Sequence, residues 1–401
     1  MFISLMIRGL SVLSSFASTS LIISELGLHA SGEYFSSVAI SLVLSTVYSF
    51  GINNSIIKYS KKIKGNNLNI IIFFIRNLLL TTFPFVILSV VILLFVSSYN
   101  WLIILMGVSY ALSQMLQIYL VSISLVNKAY LLFNIIPQLI IVSLVYINKT
   151  DIILYYILSY IISFFIMFIV LCLNNNLKEN DIEDYYKKNT LPFKERFDFF
   201  QQDLLGQMFT SISTIVISTF LSSSDVAIYN IYQKLASVCN VIISVLNQIY
   251  LSKVISYLME DCMFKIFKIR QRIFVTSSLI IGFYIIVVSV FWPIILKLFH
   301  VPDLSRYLFF IICAGYFFVA KANMLSYILN SIGYSSNLRN YSYLTCFLGV
   351  FLSSLLSVIW GVDGAIYALF FMLINQSILL IFKFKKSRIA QVHNTSAGTN
   401  D

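Results

Sequence analysis

Charged side chains are scarce in this sequence. They make up 11% of its 401 residues, where a soluble globular protein has about one quarter. The shortage excludes an ordinary soluble domain, because too few groups are available to solvate a surface. Acidic residues are rarer than basic ones, 16 against 27. Glu25, Glu33, Asp203, Asp225, Asp303 and Asp363 all fall at the ends of apolar runs and none deep inside one. A proton or sodium relay therefore has no evident carrier, and a cationic cargo has no buried counter-charge. Cysteine is sparse and odd in number, five in all. Cys172, Cys239, Cys313 and Cys346 lie in apolar runs and Cys262 in a basic loop, so they read as small packing residues and not as a disulfide framework. His29, His300 and His393 stand far apart. No metal-ligand spacing, nucleophile triad or glycine-rich phosphate loop appears, so no catalytic residue, metal site or cofactor is expected.

What the chain has instead is apolar length. Hydrophobic residues make up 59% of it, and runs of about twenty recur from end to end, each long enough to cross a ~30 Å hydrocarbon core. In lipid only helices and closed barrels satisfy the backbone. Barrel strands alternate in segments of ~10 residues, whereas these runs are continuous, so helices are expected. Read against their breaks, the runs give twelve spans: 2–24, 34–57, 70–97, 101–125, 130–147, 151–173, 203–222, 226–251, 273–298, 304–330, 341–360 and 362–382. The first could pass for a signal peptide, but with so many similar runs behind it we read a retained first span. The expected fold is an all-α integral membrane protein, twelve transmembrane helices in two six-helix bundles around a central cavity. Its parts are an N-terminal bundle at 1–173, a cytoplasmic linker at 174–202, a C-terminal bundle at 203–382 and a cytoplasmic tail at 383–401.

Orientation follows from lysine and arginine, which accumulate on the cytoplasmic side. With both termini inside, the clusters Lys58 to Arg76, Lys178 to Arg196, Lys253 to Arg272 and Lys383 to Arg388 are cytoplasmic, with Arg8, Lys128 and Arg339. The outside keeps Lys149, Lys297 and Arg306. The net charge of +11 then describes an inner face near anionic lipid and not a nucleic-acid-binding surface. Spans two and eight end in matching carboxamide pairs, Asn53-Asn54 and Asn247-Gln248. The halves otherwise share topology more than residues, as transporter repeats do.

Span eight is two-faced. Asn230, Gln233, Lys234, Ser237, Asn240, Ser244, Asn247 and Gln248 fall in one helical wedge, and Ile231, Leu235, Val238, Ile242 and Ile249 lie opposite. Span seven stacks Asp203, Gln207, Thr210, Thr214 and Ser218; span one stacks Arg8, Ser11, Ser15 and Ser18; span two more weakly stacks Ser37, Ser41, Ser45 and Tyr48. The simplest geometry turns these seams toward a shared wet cavity. Packing is the competing reading for the serines of spans one and two, since small polar residues favour helix contacts in membranes. It does not explain Lys234, nine residues past Asp225 and so ~13 Å along the helix, beyond easy snorkelling. An intramembrane charge costs ~2.5 kcal/mol or more, so function usually keeps it. Lys321 in span ten reads equally as a cavity ligand or a partial snorkel. Arg8 either snorkels or guards the inner mouth. Pro84, Pro137 and Pro293 can bend their helices. Cations and carboxamides without carboxylates suit an anionic, hydroxyl-rich cargo.

The stretch "LIISELGLHASGEYFSSVAISLVLSTVYSFGINNSIIKY" resembles the start of the O-antigen flippases (Wzx type), polysaccharide exporters of the multidrug/oligosaccharidyl-lipid/polysaccharide (MOP) superfamily. The resembling features are Leu26-Gly27, the turn Gly32-Glu33-Tyr34-Phe35 and the basic "KYSKKIK"; "SSSDVAIYNIYQKLASV" resembles the corresponding turn and eighth helix. Many relatives have an arginine where this chain has Ser24-Glu25. The resemblance implies a non-enzymatic flippase that moves undecaprenyl-pyrophosphate-linked oligosaccharide, O-antigen or a related repeat unit, across a bacterial inner membrane by alternating access. Lys234 is the cavity cation carried over from it. Membrane lipids, a polysaccharide polymerase and a chain-length regulator are the further partners implied. The expected substrate-binding residues are Lys234, Lys321, Asn230, Gln233, Asn240, Asn247, Gln248, Gln207 and Arg8. The alternatives are an ion-coupled multidrug or small-molecule exporter of the same superfamily and a polysaccharide polymerase-type membrane enzyme.

Overall fold

The computed structural model describes residues 2–53, 82–95, 101–122, 125–149, 151–173, 193–260, 262–301, 303–331 and 335–397. Among them every regular element is helical. Eight helical stretches are long and apolar enough to cross a membrane, and the chain is a multi-pass membrane protein. Two of the eight, Met6–Ser49 and Leu338–Lys385, are 44 and 48 residues long. Each contains a glycine with positive φ, Gly27 or Gly361, and so holds two of the expected spans. Span seven is the helix α7 (Phe193–Phe220), whose apolar part is Thr210–Phe220. Span three is described only through α2 (Phe83–Phe95); the rest of it, Asn54, the basic cluster after it and most of the linker lie outside the described residues.

The chain forms two compact units, one of residues 1–218 with 222–227, the other of 219–221 with 228–401. The first contains α1 (Phe2–Ser49), α2, α3 (Trp101–Ser122), α4 (Val126–Tyr130), α5 (Ile136–Ile147), α6 (Ile152–Leu173) and α7. Gly27 breaks α1 at φ 75° and ψ 171°, a conformation open to glycine alone. The Ser31 hydroxyl closes the break by donating to the carbonyls of Gly27 and Ile22, at 2.6 and 3.2 Å. Span two is interrupted at residues 50–51, helix resumes at 52–53, and 54–57 lie outside the described residues. The helix stops at Ser49, and Phe50 and Gly51 take φ of 39° and 71°. Between α4 and α5 the residues Leu131–Ile135 form a π turn, and Pro137 follows in the first turn of α5.

Packing in this unit uses small and aromatic residues. Gly107 lets α3 lie against the Tyr48 ring, Leu44 and the Ser41 carbonyl. Tyr110, Phe133, Tyr156 and Tyr160 form a ring cluster with centroids 4.7–5.6 Å apart. Ser113 donates to the Tyr160 carbonyl at 2.6 Å and Ser163 to that of Leu132 at 2.5 Å, the close helix contacts that small polar residues permit. Ser41 and Ser45 are sealed here, bonded to their own helix at Val38 and Leu42. Within the seam of span two, Ser41, Ser45 and Tyr48 are thus buried in helix packing, while Ser37 is half-buried.

The second unit contains the rest of α8 (Ser223–Met259), then α9 (Met263–Val290), α10 (Trp292–Leu298), α11 (Arg306–Lys321), α12 (Leu325–Ser331) and α13 (Ser335–Ala397). Span nine is two helices, with Pro293 in the first turn of the second, as proline's fixed φ favours. Span ten is also broken, which its apolar run conceals. α11 ends at Lys321, and Met324, at φ 58°, turns the chain into α12. Trp292 donates to the Leu304 carbonyl at 3.1 Å and packs against Phe309. At the other end Val254, Ile266, Ile273, Met324, Leu325, Ile328, Leu329 and Phe384 form a sealed apolar cluster.

Candidate functional site

α8 starts from a reciprocal cap. The Asp225 carboxylate accepts from the Ser222 amide and hydroxyl at 3.2 and 2.7 Å, and the Ser222 hydroxyl accepts from the Asp225 amide at 3.2 Å. A capped start with acid in the first turn favours helix, and the helix runs 37 residues. Inside its unit it packs by one face. Ile231, Tyr232, Leu235, Ala236, Cys239 and Ile243 are buried there. The Leu235 carbonyl accepts from the Tyr284 hydroxyl at 2.7 Å, the Ser305 carbonyl from that of Tyr232 at 3.1 Å, and the Cys239 and Cys313 sulfurs lie 3.9 Å apart. All of these contacts are made from the apolar side of the wedge.

The polar seam is on the opposite side. Along it the exposure rises from Asn230, 7% exposed, through half-buried Gln233, Lys234 and Ser237 to exposed Asn240, Ser244 and Gln248, with Asn247 half-buried. The Ser237 hydroxyl donates to the Lys234 carbonyl at 2.7 Å. One helix thus carries an ammonium and five carboxamides along a single stripe that is buried at Asn230 and opens toward Asn240 and Gln248. That set donates to an anion and exchanges hydrogen bonds with hydroxyls.

The other candidate residues are elsewhere. Lys321 is exposed at the last position of α11, where a cation is favoured by the helix dipole. Its carbonyl accepts from Arg270 Nη2 at 3.0 Å, and the Asn323 carbonyl accepts from Arg270 Nε at 3.1 Å. The Asn323 side chain donates back to the Ala320 and Arg270 carbonyls, at 2.5 and 3.3 Å, and the guanidinium lies 5.2 Å over the Phe384 ring. Gln207 and Arg8 belong to the first unit. Gln207 is half-buried and donates to Ser211 Oγ at 2.8 Å on its own helix. The Arg8 guanidinium lies 4.9 Å over the Tyr130 ring.

Sequence reasoning gave Arg270 no partner and passed over Tyr130 and Gln138. Arg270 read only as one more inner-face cation, and its partners come from helices far along the chain. A signal for the last pair was present, because Tyr130, Asn134 and Gln138 recur every four residues in an apolar run. The carboxamide pairs that match in sequence differ in setting. Asn53 is buried and donates to Gln114 Oε1 at 3.3 Å, while Gln248 is exposed. Glu25 pairs with Lys149 and Glu33 with His29, and Asp303 and Asp363 are exposed; Asp203, expected at a helix end, lies half-buried inside α7, because that helix begins ten residues earlier at Phe193. Among the described residues no group of three or more His, Cys, Asp or Glu could hold a metal ion.

No protein-family profile matches the chain, and no curated protein sequence matches it. Solved structures do. A multidrug resistance MATE family transporter of the MOP superfamily, inward-facing, aligns at TM-score 0.59 and 13% identity, over 98% of this chain and 99% of that one. The lipid II flippase MurJ, in an inward closed conformation, aligns at TM-score 0.58 and 14% identity, over 96% and 87%. A MOP superfamily transporter from Pyrococcus furiosus, described as having a binding pocket of reverse polarity that suggests a different function, aligns at 0.56 and 12%, over 97% and 93%. The fold is that of the MOP transporters. At these identities the likeness establishes the fold and leaves the cargo to be argued from this chain's own residues.

Proposed function

We propose that this protein is a flippase for a lipid-linked oligosaccharide, undecaprenyl-pyrophosphate-linked in the reading the sequence resemblance supports, working by alternating access in a bacterial inner membrane with both termini cytoplasmic. The observation that carries the reading is the α8 stripe. Lys234, half-buried, sits among carboxamides on the side of α8 opposite its buried apolar face. In the proposed cycle the Lys234 ammonium offsets phosphate charge. Asn230, Gln233, Asn240, Asn247 and Gln248 exchange hydrogen bonds with sugar hydroxyls, and the polyprenyl chain stays in lipid. Lys321, at the end of α11, and Gln207 are further contacts in this reading. No bond is made or broken.

Replacing Lys234 by alanine removes a charge-assisted contact of about 1.5–3 kcal/mol, which corresponds to roughly a tenfold to hundredfold loss. Surface polysaccharide at matched protein level should fall accordingly, with lipid-linked repeat units building up on the inner leaflet. Unchanged export would remove Lys234 from the mechanism. A multidrug exporter is the second reading, favoured by the MATE neighbour. It predicts drug resistance on expression and normal polysaccharide on deletion. A cationic drug, however, would meet an ammonium and carboxamides on α8 and no carboxylate.

A further inference from the structure

Nothing in the local sequence requires the break between α11 and α12. Residues 316–331 contain neither glycine nor proline, and Ala320, Lys321, Ala322, Met324 and Leu325 are all good helix formers. Left to itself the stretch continues as helix. In the structure α11 stops at Lys321, and Met324 takes a φ of 58°. That left-handed conformation is strained for a residue with a long side chain, and Met324 holds it while buried. The adjacent Asn323 is 3% exposed, and its Oδ1 is buried with no hydrogen-bond donor among the described residues. A strained residue and an unmet acceptor thus stand side by side in one break. Such features gather where a chain switches between conformations.

Hydrogen bonding at the break shows what holds it open. In a continuous helix the Lys321 carbonyl accepts from the Leu325 amide. Here the Leu325 amide donates to Ala322 instead, at 3.3 Å, and the Asn323 amide to Ala320, also at 3.3 Å. Arg270 Nη2 takes the Lys321 carbonyl at 3.0 Å, and its Nε takes the Asn323 carbonyl at 3.1 Å. The guanidinium and a helical amide therefore compete for one acceptor. Beyond the break, Leu325, Ile328 and Leu329 of α12 share a core with Val254 of α8, Ile266 and Ile273 of α9 and Phe384 of α13. Leu246 and Leu251 of α8 pack on the same core, on either side of Asn247 and Gln248.

We propose that Ala322–Met324 is a two-state hinge. In the bent state, the one seen here, Arg270 holds the Lys321 and Asn323 carbonyls. In the straight state Leu325 reclaims the Lys321 carbonyl, Met324 returns to right-handed helix and α11 runs on into α12. Two states arise because the forces oppose each other: local propensity favours the straight form and one arginine from α9 favours the bent form. Through the shared core the hinge moves α12 against the part of α8 that carries Asn247 and Gln248. It does so whatever the cargo is.

The test uses the full-length protein in phosphatidylcholine nanodiscs, with its five cysteines replaced by serine. Spin labels are attached at Phe318→Cys and Ser326→Cys, exposed positions on either side of the break. A continuous helix sets them about 12 Å apart along its axis, and dipolar broadening reports the spacing. Arg270→Gln should raise the ratio of straight to bent form about tenfold, the scale of one lost charge-assisted contact. Asn323→Leu, which removes the side-chain bonds to the Ala320 and Arg270 carbonyls, should shift it the same way. Met324→Gly should lower the ratio severalfold, because glycine takes the left-handed conformation without strain. Opposite shifts mark a hinge, since loosened packing has no reason to move these variants in opposite directions. If Arg270→Gln folds poorly, Asn323→Leu and Met324→Gly decide. A parent protein with the bent spacing alone supports the hinge when the straight spacing emerges in Arg270→Gln or Asn323→Leu. One unchanged spacing in every variant, or a shift of Met324→Gly in the same direction as the others, makes the break a fixed turn and overturns the proposal.

Discussion

Arg196 shows how much one side chain can hold in place. It is buried at the start of α7, with its Nη2 donating to the Phe50 carbonyl at 3.4 Å and its guanidinium 5.7 Å over the Phe50 ring. Burial pushes the guanidinium down to about 10, which leaves it charged at neutral pH. Phe50 also stacks on Phe200 at 4.9 Å and meets Phe85 at 5.2 Å. Gly51 makes the approach possible, since a Cβ there would overlap the Arg196 carbonyl and its φ is 71°. Gly51→Ala should therefore cost well over the ~1–2 kcal/mol of a left-handed residue, read as a lower thermal midpoint and poor yield of the purified protein. Arg196 and Gly51 were visible in the sequence as a basic residue and a glycine. Their partnership was not, because 144 intervening positions carry no periodic signal that links them.

At the scale of elements, the breaks matter more than the helices. The apolar run of span ten predicts one continuous helix, yet the chain turns after Lys321. The freed carbonyls of Lys321 and Asn323 are taken by Arg270, a fixed cation doing what water cannot do in a membrane. Removing it by Arg270→Ala leaves the partly buried Asn323 carbonyl without its donor, at about 1–3 kcal/mol, and frees the exposed Lys321 carbonyl. The expected result is a reduced thermal midpoint and lowered export at matched protein level, with Arg270→Lys intermediate because a point donor cannot serve both carbonyls. Gly32 is the comparable contact in unit 1. A Cβ on it would overlap the carbonyl of Ser223 in the first turn of α8, so Gly32→Ala should displace that turn and lower stability more than a surface substitution. The turn motif was read from the sequence; the backbone contact behind its glycine was not.

For the whole molecule the open quantity is orientation, and charge decides it. The basic residues favour both termini inside, so a green fluorescent protein fused after residue 385 should fluoresce and alkaline phosphatase fused at Lys149 should be active. The reverse pattern would invert the proposed direction of transport. The two compact units divide the chain between 218 and 222 and again within α8, at 227 and 228. The helix with the polar stripe is therefore continuous with both units.

Composition by itself determined that this is a membrane protein of long helices, because few charges and recurring twenty-residue apolar runs have no other stable solution in lipid. The period of 3.6 likewise separated the two faces of α8 before any coordinates, since side-chain direction along a helix is fixed by geometry. Tertiary structure alone decided which polar seams stay accessible and which are sealed. Ser41 and Gln233 look alike as helical polar residues, but the first is closed off by packing and the second is not. It also decided where the helices break, because a break is stable only if donors from distant segments reach its carbonyls, and that proximity is a property of the folded chain.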